Sequence, residues 1–327
     1  MEDFSFNFFT SPKVIRKIND VTGHVLGKKE KTKRCKLASL FRLLGYHGIE
    51  KSVCDHITLK LNENEILTNP FGLMTWEITA SNLTKLDFHG NILHADPDSF
   101  YYLNKKNVKL HSLIYKSRSD ARCIVHVKSL PILAISCLKE GLLPLCEDAL
   151  IIGSISYHME NENSLDDETT LLNNLGPTNK IFVIQNKGAL VIGKSVEELF
   201  FLVYHLNHAC SVQLKCSGYH ESSLKKLSSD KINVINELIS LPTKCATTMA
   251  VFEFEAHMRF LDRLGCCTGY TYSNKIFHPS HSEMDSSLYQ VSQQFGDFYH
   301  SFAEKGRFER RNSDSGVVTS MNTAENA

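Results

Sequence analysis

The chain has 327 residues, 42% hydrophobic and 22% charged, which is enough for one large domain or two ordinary ones with a full-sized core. Its 36 lysines and arginines balance 36 aspartates and glutamates, so no overall field favours nucleic acid or an anionic membrane. The acidic start Met1-Glu2-Asp3 is unlike a signal peptide, and the longest apolar stretch, 130–138, is too short to cross a bilayer.

Ten cysteines are scattered along the sequence, and only Cys266 and Cys267 are adjacent. Without pairing motifs, this usage is typical of reduced thiols, because disulfide frameworks belong to oxidising compartments. The composition therefore predicts a cytoplasmic protein with no nucleic-acid partner and no transmembrane segment.

The predicted elements begin in a basic run at 28–36. A helix continues from it, since Leu37, Leu40, Phe41 and Leu44 recur at spacings of three and four. We interpret the basic run as a solvated face or lead-in, with a docking patch as the alternative.

Helices and hairpins then alternate along the chain, and the pattern of apolar residues and turn residues predicts each of them. The predicted elements are strands at 56–61 and 65–68, a helix after Gly72, a strand pair within 86–93, a helix at 110–119, a buried strand at 123–127, a helix at 130–140, a short helix or strand at 142–152, an exposed loop at 158–168, buried strands at 181–184 and 189–192, and a helix that Ser195 caps. The hairpin-like pairs favour a mixed or antiparallel sheet over a doubly wound parallel one.

The composition changes after Ser217. Residues 217–247 are polar, and 251–265 form an amphipathic helix whose apolar members include Phe252, Phe254, Met258 and Leu261. Residues 273–327 are rich in Ser, His, Asn and Asp, so we predict a largely disordered tail.

Ten short stretches occur in the order in which the adducin family carries them. They include Asn69-Pro70-Phe71-Gly72, Phe252-Glu253-Phe254-Glu255 and Leu261-Asp262-Arg263-Leu264-Gly265, and the full set lies at 33–38, 55–58, 69–73, 77–83, 139–144, 174–177, 195–198, 252–259, 261–265 and 268–270. The chain thus resembles the adducin head, which has the class II aldolase fold.

The resemblance implies the fold and a domain order. We expect an α/β fold, a class II aldolase-like three-layer α/β/α sandwich around a mixed, largely antiparallel sheet. The expected domains are a basic lead-in at 1–32, the head at 33–216, the start of the adducin neck at 217–272 and the tail at 273–327.

The related aldolases and epimerases hold zinc with a His-x-His on a strand and a third histidine from an Asn-His-Gly turn. In this chain the two motifs read His126-Val127-Lys128 and Asn186-Lys187-Gly188. Residues i and i+2 of a strand share a face, but an ammonium has no lone pair and adds charge where the cation would sit. We therefore predict a vestigial metal site at His126, Lys128 and Lys187, with no metal or other cofactor.

The other positions of the enzymes' site also differ. Glu77 matches their acid/base, and without a metal we expect a structural role for it as a partner of Lys128 or Lys187. The former phosphate site comprises Asp55, His56, Asn69, Phe71 and Gly72. Because aspartate repels phosphate and phenylalanine fills space, we expect this site to be closed, and we predict no catalytic residue.

The function that the resemblance implies is a non-catalytic scaffold of the spectrin–actin membrane skeleton. Such a protein would lie at the cytoplasmic face of the plasma membrane and assemble with itself or with adducin-like subunits. By this resemblance we expect a short form of the family, without the adducin tail and its lysine-rich end. The alternatives are a metal-dependent aldolase or epimerase acting on a sugar phosphate, and a sensor that binds a small anion at His126, Lys128 and Lys187.

Two further groups of residues are candidate sites. Phe252, Phe254, Met258 and Leu261 could bind a partner, or their helix could pack back on the head. His205 and His208 lie three residues apart on one helix and could form a metal pair, although satisfied or surface histidines are commoner.

Overall fold

The computed structural model describes residues 16–21, 26–49, 56–95, 103, 105–158, 168–220 and 244–272, with a few positions between 223 and 233. Asp55, the loop around 160 and the tail at 273–327 lie outside the described residues, so the predictions made for them stay predictions. Among the described residues, no helix is both long and apolar enough to span a bilayer.

The described strands form one eight-stranded sheet in the order β4-β3-β2-β1-β5-β8-β7-β6. Only β6 and β7 pair in parallel within it; the other neighbours are antiparallel. The prediction of a mixed, largely antiparallel sheet is therefore confirmed. The strands are β1 His56–Lys60, β2 Glu65–Thr68, β3 Thr84–Asp87, β4 Ile92–His94, β5 Cys123–Val127, β6 Ile155–His158, β7 Ile181–Ile184 and β8 Gly188–Gly193.

Helices cover both faces of the sheet and make the fold a three-layer sandwich. They are α1 Lys28–Tyr46, α2 Lys105–Ser117, α3 Leu130–Ser136, α4 Glu147–Ile151, α5 Glu168–Leu175, α6 Val196–Cys216 and α7 Lys244–Arg263. One core packs α1, α3, α6 and α7 against the sheet, and a second core packs α2 and α5 against the opposite face. Alternation along the strands separates the two cores: Ile57 and Leu59 enter the first, whereas Thr58 contacts α2.

The sequence-based element predictions fail at three places. Residues 69–83 form turns rather than the helix expected after Gly72. Strand β6 and helix α5 were not predicted; β6 is a short edge strand with one buried residue, so it lacks the apolar run that marks the central strands. The Ser195 cap is confirmed, since its hydroxyl accepts a hydrogen bond from the Glu198 N–H at 3.2 Å.

The second half of the basic run faces the fold rather than solvent, whereas Lys28 and Lys29 at its start are exposed. Lys33 donates to the carbonyls of Lys60 and Leu61 at 3.1 and 2.7 Å. Arg34 is fully buried, pairs with Glu30 and donates to the carbonyls of Ala80 and Leu83. Lys36 pairs with Glu197 on α6. Lys33, Arg34 and Lys36 satisfy carbonyls and two carboxylates of the fold itself, so these three residues are not available as a docking patch.

The N-terminal segment 16–21 also belongs to the fold, although the sequence placed it in a lead-in. Ile18 is fully buried, and its backbone N–H donates to the Cys266 carbonyl at 2.7 Å, just beyond α7. Asp20 accepts hydrogen bonds from the backbone N–H and the hydroxyl of Ser81. The segment therefore connects the end of α7 to the loop before β3.

Candidate functional site

The two motifs that replace the zinc ligands meet at one end of the sheet. His126 lies near the end of β5, and Lys187 lies in the turn that joins β7 to β8. The turn is tight, with φ of 60° at Asn186 and 89° at Gly188, and a Cβ on Gly188 would come within 2.2 Å of the Val127 carbonyl. Only glycine fits there. Gly188 therefore allows the turn to pack closely against β5, which places Lys187 beside that strand.

One hydrogen bond connects the two motifs. The His126 Nε2–H donates to the backbone carbonyl of Lys187 at 2.8 Å. A carbonyl only accepts hydrogen bonds, so Nε2 carries the proton and the neutral ring keeps its lone pair on Nδ1. His126 therefore has one nitrogen left with which to bind a metal.

The charges around His126 oppose metal binding as well. Burial and the like charges of Lys128 and Lys187 lower the pKa of His126 to about 4, against the opposing effect of its hydrogen bond. The ring is thus neutral at pH 7 and lies near two ammonium groups. Among the residues that the structure describes, no group of three or more His, Cys, Asp or Glu side chains is arranged to hold a metal ion. That no metal binds stays a prediction.

Glu77 is held within its own turn. Its carboxylate accepts a hydrogen bond from the Met74 N–H at 2.9 Å, and its carbonyl accepts one from the Asn82 side chain. The sequence-based expectation of Lys128 or Lys187 as its partner is therefore wrong, since its described carboxylate partner is the backbone N–H of Met74. This contact makes Glu77 a turn-stabilising residue.

The residues of the former phosphate site have different contacts and exposures in the structure. Asn69 is buried, and its side-chain oxygen accepts a hydrogen bond from the Ile57 N–H, so it connects the loop to β1. Phe71 is 38% exposed, and Gly72 is exposed with φ of 97°. His56 opens β1 directly opposite His126. Asp55 lies outside the described part of the chain.

A buried cluster of three histidines lies between the sheet and α2, and the sequence interpretation missed it. His56 and His111 have ring centroids 5.1 Å apart, and His126 is the strand partner of His56. Burial, with repulsion from His126, lowers the pKa of His56 to about 4; burial and both neighbouring rings lower that of His111. The Nε2 atoms of His56 and His111 are buried without a described partner.

A polar cluster connects α4, α6 and α7. His205 contacts Asp148 at 2.6 Å and Glu253 at 3.1 Å, and His208 contacts the other Asp148 oxygen at 2.8 Å. Although burial opposes it, these carboxylates raise the pKa of His205 to about 9. His205 is therefore a protonated bridge between helices, which agrees with the interpretation of the pair as satisfied histidines.

Helix α7 packs on the head. Phe254, Met258 and Leu261 are at most 2% exposed and belong to the first core, while Phe252 is half-buried. Three of the four residues considered for partner binding therefore cannot contact a partner in this fold. The alternative interpretation, that the helix packs back on the head, is the one that the structure shows.

The layers, the mixed sheet and the β5 strand facing the β7–β8 turn define a class II aldolase fold. An aldolase II superfamily protein from Pseudomonas syringae superposes with a TM-score of 0.67 at 27% identity, covering 75% of this chain and 97% of that one. L-fuculose 1-phosphate aldolase from Glaciozyma antarctica PI12 superposes with a TM-score of 0.63 at 19% identity, covering 74% and 96%, and shows the fold alone.

The family described as Class II Aldolase and Adducin N-terminal domain matches residues 35–214, and the chain belongs to it. Alpha-adducin from Rattus norvegicus is 33% identical over 308 residues, covering 90% of this chain and 41% of its own length. Beta-adducin from Homo sapiens is 34% identical, covering 80% and 38%. The prediction of an adducin-like head is confirmed, and the chain spans about two fifths of the length of these relatives.

Proposed function

We propose that this protein is a non-catalytic scaffold that oligomerises and associates with the spectrin–actin membrane skeleton at the cytoplasmic face of the plasma membrane. The observation that carries the proposal is the state of the enzymes' metal position. There, a neutral His126 donates its Nε2–H to the Lys187 carbonyl and lies near two ammonium groups. Such a site cannot polarise a sugar-phosphate oxygen as a zinc ion does.

The adducin relatives support the cytoskeletal part of the proposal. The similarity to alpha- and beta-adducin extends over 80–90% of this chain, beyond the part that matches the aldolase fold. We propose that the region described by the family match works as a head that assembles with a second copy of itself or with adducin subunits.

Sedimentation tests the scaffold. The chain is expected to pellet with filamentous actin and spectrin, alone or when mixed with a full-length adducin, and light scattering should give a mass above that of a monomer. If the chain stays in the supernatant in both mixtures and remains a monomer at tens of micromolar, the proposal is wrong.

Elemental analysis tests the prediction that the protein does not bind zinc. After purification in zinc-containing buffer and dialysis, the protein is expected to retain far less than one zinc per chain, because two ligand positions carry ammonium groups. Lys128→His/Lys187→His restores the three-histidine set of the enzymes and should raise the retained zinc. One zinc per wild-type chain that disappears in His126→Ala would instead favour a metal-dependent aldolase or epimerase.

A further inference from the structure

The β4 edge of the sheet is apolar and exposed. Strand β4 stands at the end of the strand order and pairs only with β3 among the described strands. Ile92 and Leu93 are 53% and 51% exposed on it, and the strand contains no lysine, acidic residue or proline. Natural proteins cover or charge such an edge, because its unpaired backbone groups can pair with another chain.

The opposite edge of the sheet is covered by the chain itself. Strand β6 stands at that end of the strand order. The Leu142 N–H donates to the Tyr157 hydroxyl at 3.0 Å, and a Cβ on Gly141 would come within 2.5 Å of the Tyr157 ring. The loop after α3 therefore packs against β6, whereas the described part of the chain provides no such cover for β4.

A cavity of about 530 Å³ lies beside this edge, between the β3–β4 hairpin and α2. Phe88, Leu103 and Val108 give it an apolar wall. Leu86, the strand partner of Ile92, belongs to the second core, so Ile92 lies on the face of the sheet that α2 covers. A strand added outside β4 would therefore direct every second side chain toward the cavity.

The sequence ahead of the described residues has the pattern of such a strand. Phe4, Phe6 and Phe8 alternate with Ser5 and Asn7, and we name residues 4–8 the alternating segment. Alternation of aromatic and polar residues is typical of a strand with one buried face. The three phenylalanines would share the face that points to the cavity.

The alternating segment is anchored within reach of β4. The Ala80 N–H donates to the Ile18 carbonyl at 2.9 Å. The chain from Ala80 to Lys85, the strand partner of His94, spans at most about 17 Å. Residues 10–15 can extend over about 23 Å, which is enough to bring the alternating segment alongside β4. Because the anchor lies at the His94 end, the segment would run parallel to β4.

Charge favours this segment over a second copy of β4. Helix α2 has no acidic residue, and its lysines are Lys105, Lys106, Lys109 and Lys116. Two copies paired through β4 about a two-fold axis would bring their basic helices together on one face of the sheet. In contrast, Glu2 and Asp3 directly precede the alternating segment. In the parallel orientation they reach the hairpin turn, where a Cβ on Gly90 would lie 3.6 Å from Val108, in the turn of α2 that Lys105 begins.

We propose that residues 4–8 form an additional strand that pairs in parallel with β4 and covers Ile92 and Leu93. Its phenylalanines enter the cavity beside α2, and Glu2 and Asp3 lie against the lysines at the start of that helix. The alternating segment thereby closes this edge of the sheet to other chains, which leaves assembly to other surfaces of the head.

Hydrogen exchange of the full 327-residue chain tests the added strand. The amides of 91–95 are expected to exchange at least about tenfold faster in Phe4→Ser/Phe6→Ser/Phe8→Ser than in the wild type, because their pairing with the added strand is lost. The amides of β5, in the centre of the sheet, should be unchanged and show that the fold is intact. Equal exchange of 91–95 in the two proteins would overturn the proposal. Faster exchange in β5 as well would place the phenylalanines in the core instead of at the edge, which also overturns it.

Phe295→Ser/Phe298→Ser/Phe302→Ser is the matched control, because it makes the same chemical change within 273–327. It should leave the exchange of 91–95 as it is in the wild type. If both triple variants speed this exchange equally, the effect does not depend on the alternating segment, and the proposal is wrong.

Dilution distinguishes the chain's own segment from that of a second copy. An intramolecular strand protects 91–95 equally at tens of micromolar and far below that concentration, since its pairing needs no association. Protection that disappears on dilution would show that a second copy supplies the strand, and would overturn the intramolecular pairing.

A charge reversal tests the parallel orientation. Glu2→Lys/Asp3→Lys should speed the exchange of 91–95 about twofold to fivefold, which is the size expected for exposed ion pairs. Adding Lys105→Glu/Lys106→Glu to this variant should restore the wild-type rate. No change on the first reversal would contradict the placement of the acidic residues beside α2.

Lys28→Glu/Lys29→Glu is the control for the restoring pair. It makes the same charge change at exposed positions on α1 and should not restore the wild-type rate. Equal restoration by the two lysine pairs would show an effect of net charge and would contradict the parallel orientation.

Discussion

Phe254→Ala is expected to lower the free energy of unfolding by about 3–5 kcal/mol, the usual range for a buried phenylalanine. The side chain is fully buried on α7, and its ring packs edge-on against Phe200 and Tyr270 with centroids 5.9 Å apart in each case. Its loss would leave a cavity between α7 and α6 that the backbone of two packed helices cannot close. Urea unfolding, followed by circular dichroism, gives the difference directly.

Phe252→Ala is the matched control, because it removes the same side chain two residues earlier on the same helix. Phe252 is half-buried, so its truncation should cost no more than about 1.5 kcal/mol. Sedimentation with spectrin and actin, at a temperature where both variants are folded, completes the comparison. If Phe254→Ala abolishes co-sedimentation at unchanged stability, α7 is an interface rather than part of the core.

Helix α7 shows where sequence reasoning stops. The period of Phe254, Met258 and Leu261 predicts a helix with an apolar stripe, and that helix is present. The period says nothing about what covers the stripe, because a partner and the protein's own head impose the same pattern. The packing of α7 on α1 and α6 decides between them, and it is visible only in three dimensions.

The interpretation of the basic run in α1 as a solvated face failed for Lys33, Arg34 and Lys36 for a related reason. A lysine's partner can lie far away in the chain, as Lys33 shows by donating to carbonyls 27 and 28 residues later. Charge patterning describes the helix and not its surroundings, so the solvated face was the default interpretation. The adducin-like segment 33–38 contains the residues with this structural role, but its sequence alone does not identify their partners.

The candidate site was predictable where it depends on a motif and hidden where it depends on packing. His126 and Lys187 were expected to meet, because the fold brings the strand and the turn together, and they do. His111 could have been suspected from the stripe that it shares with Val108 and Tyr115 at helical spacing. Its neighbours His56 and Thr58 come from β1, however, and no local pattern connects them with α2.

The buried histidines predict a loss of stability in mild acid. The pKa values of His56 and His126 are lowered to about 4 in the folded protein, and that of His111 is also lowered, whereas an unfolded chain takes up these protons near pH 6.5. Between these values the unfolded state binds more protons, so the free energy of unfolding falls as the pH falls. His126 alone should account for roughly 3 kcal/mol between about pH 6.5 and pH 4. The contribution of His56 is coupled to it, because repulsion from His126 helps to lower the pKa of His56.

His205 acts in the opposite direction and sets the alkaline side of the profile. Its pKa is raised to about 9, so its stabilising contribution is fully present below about pH 6.5 and is lost as the pH rises through 9. Urea unfolding across this range should therefore give maximal stability near neutrality.

His126→Gln keeps a donor for the Lys187 carbonyl and removes one titrating ring, so it should reduce the dependence of the unfolding free energy on pH in the acid range by about 1.4 kcal/mol per pH unit. His89→Gln, at an exposed histidine outside the buried cluster, is the matched control variant. A free energy of unfolding that stays constant from neutrality to about pH 5 would show that the buried cluster already carries its protons in the folded state, against the neutral rings inferred here.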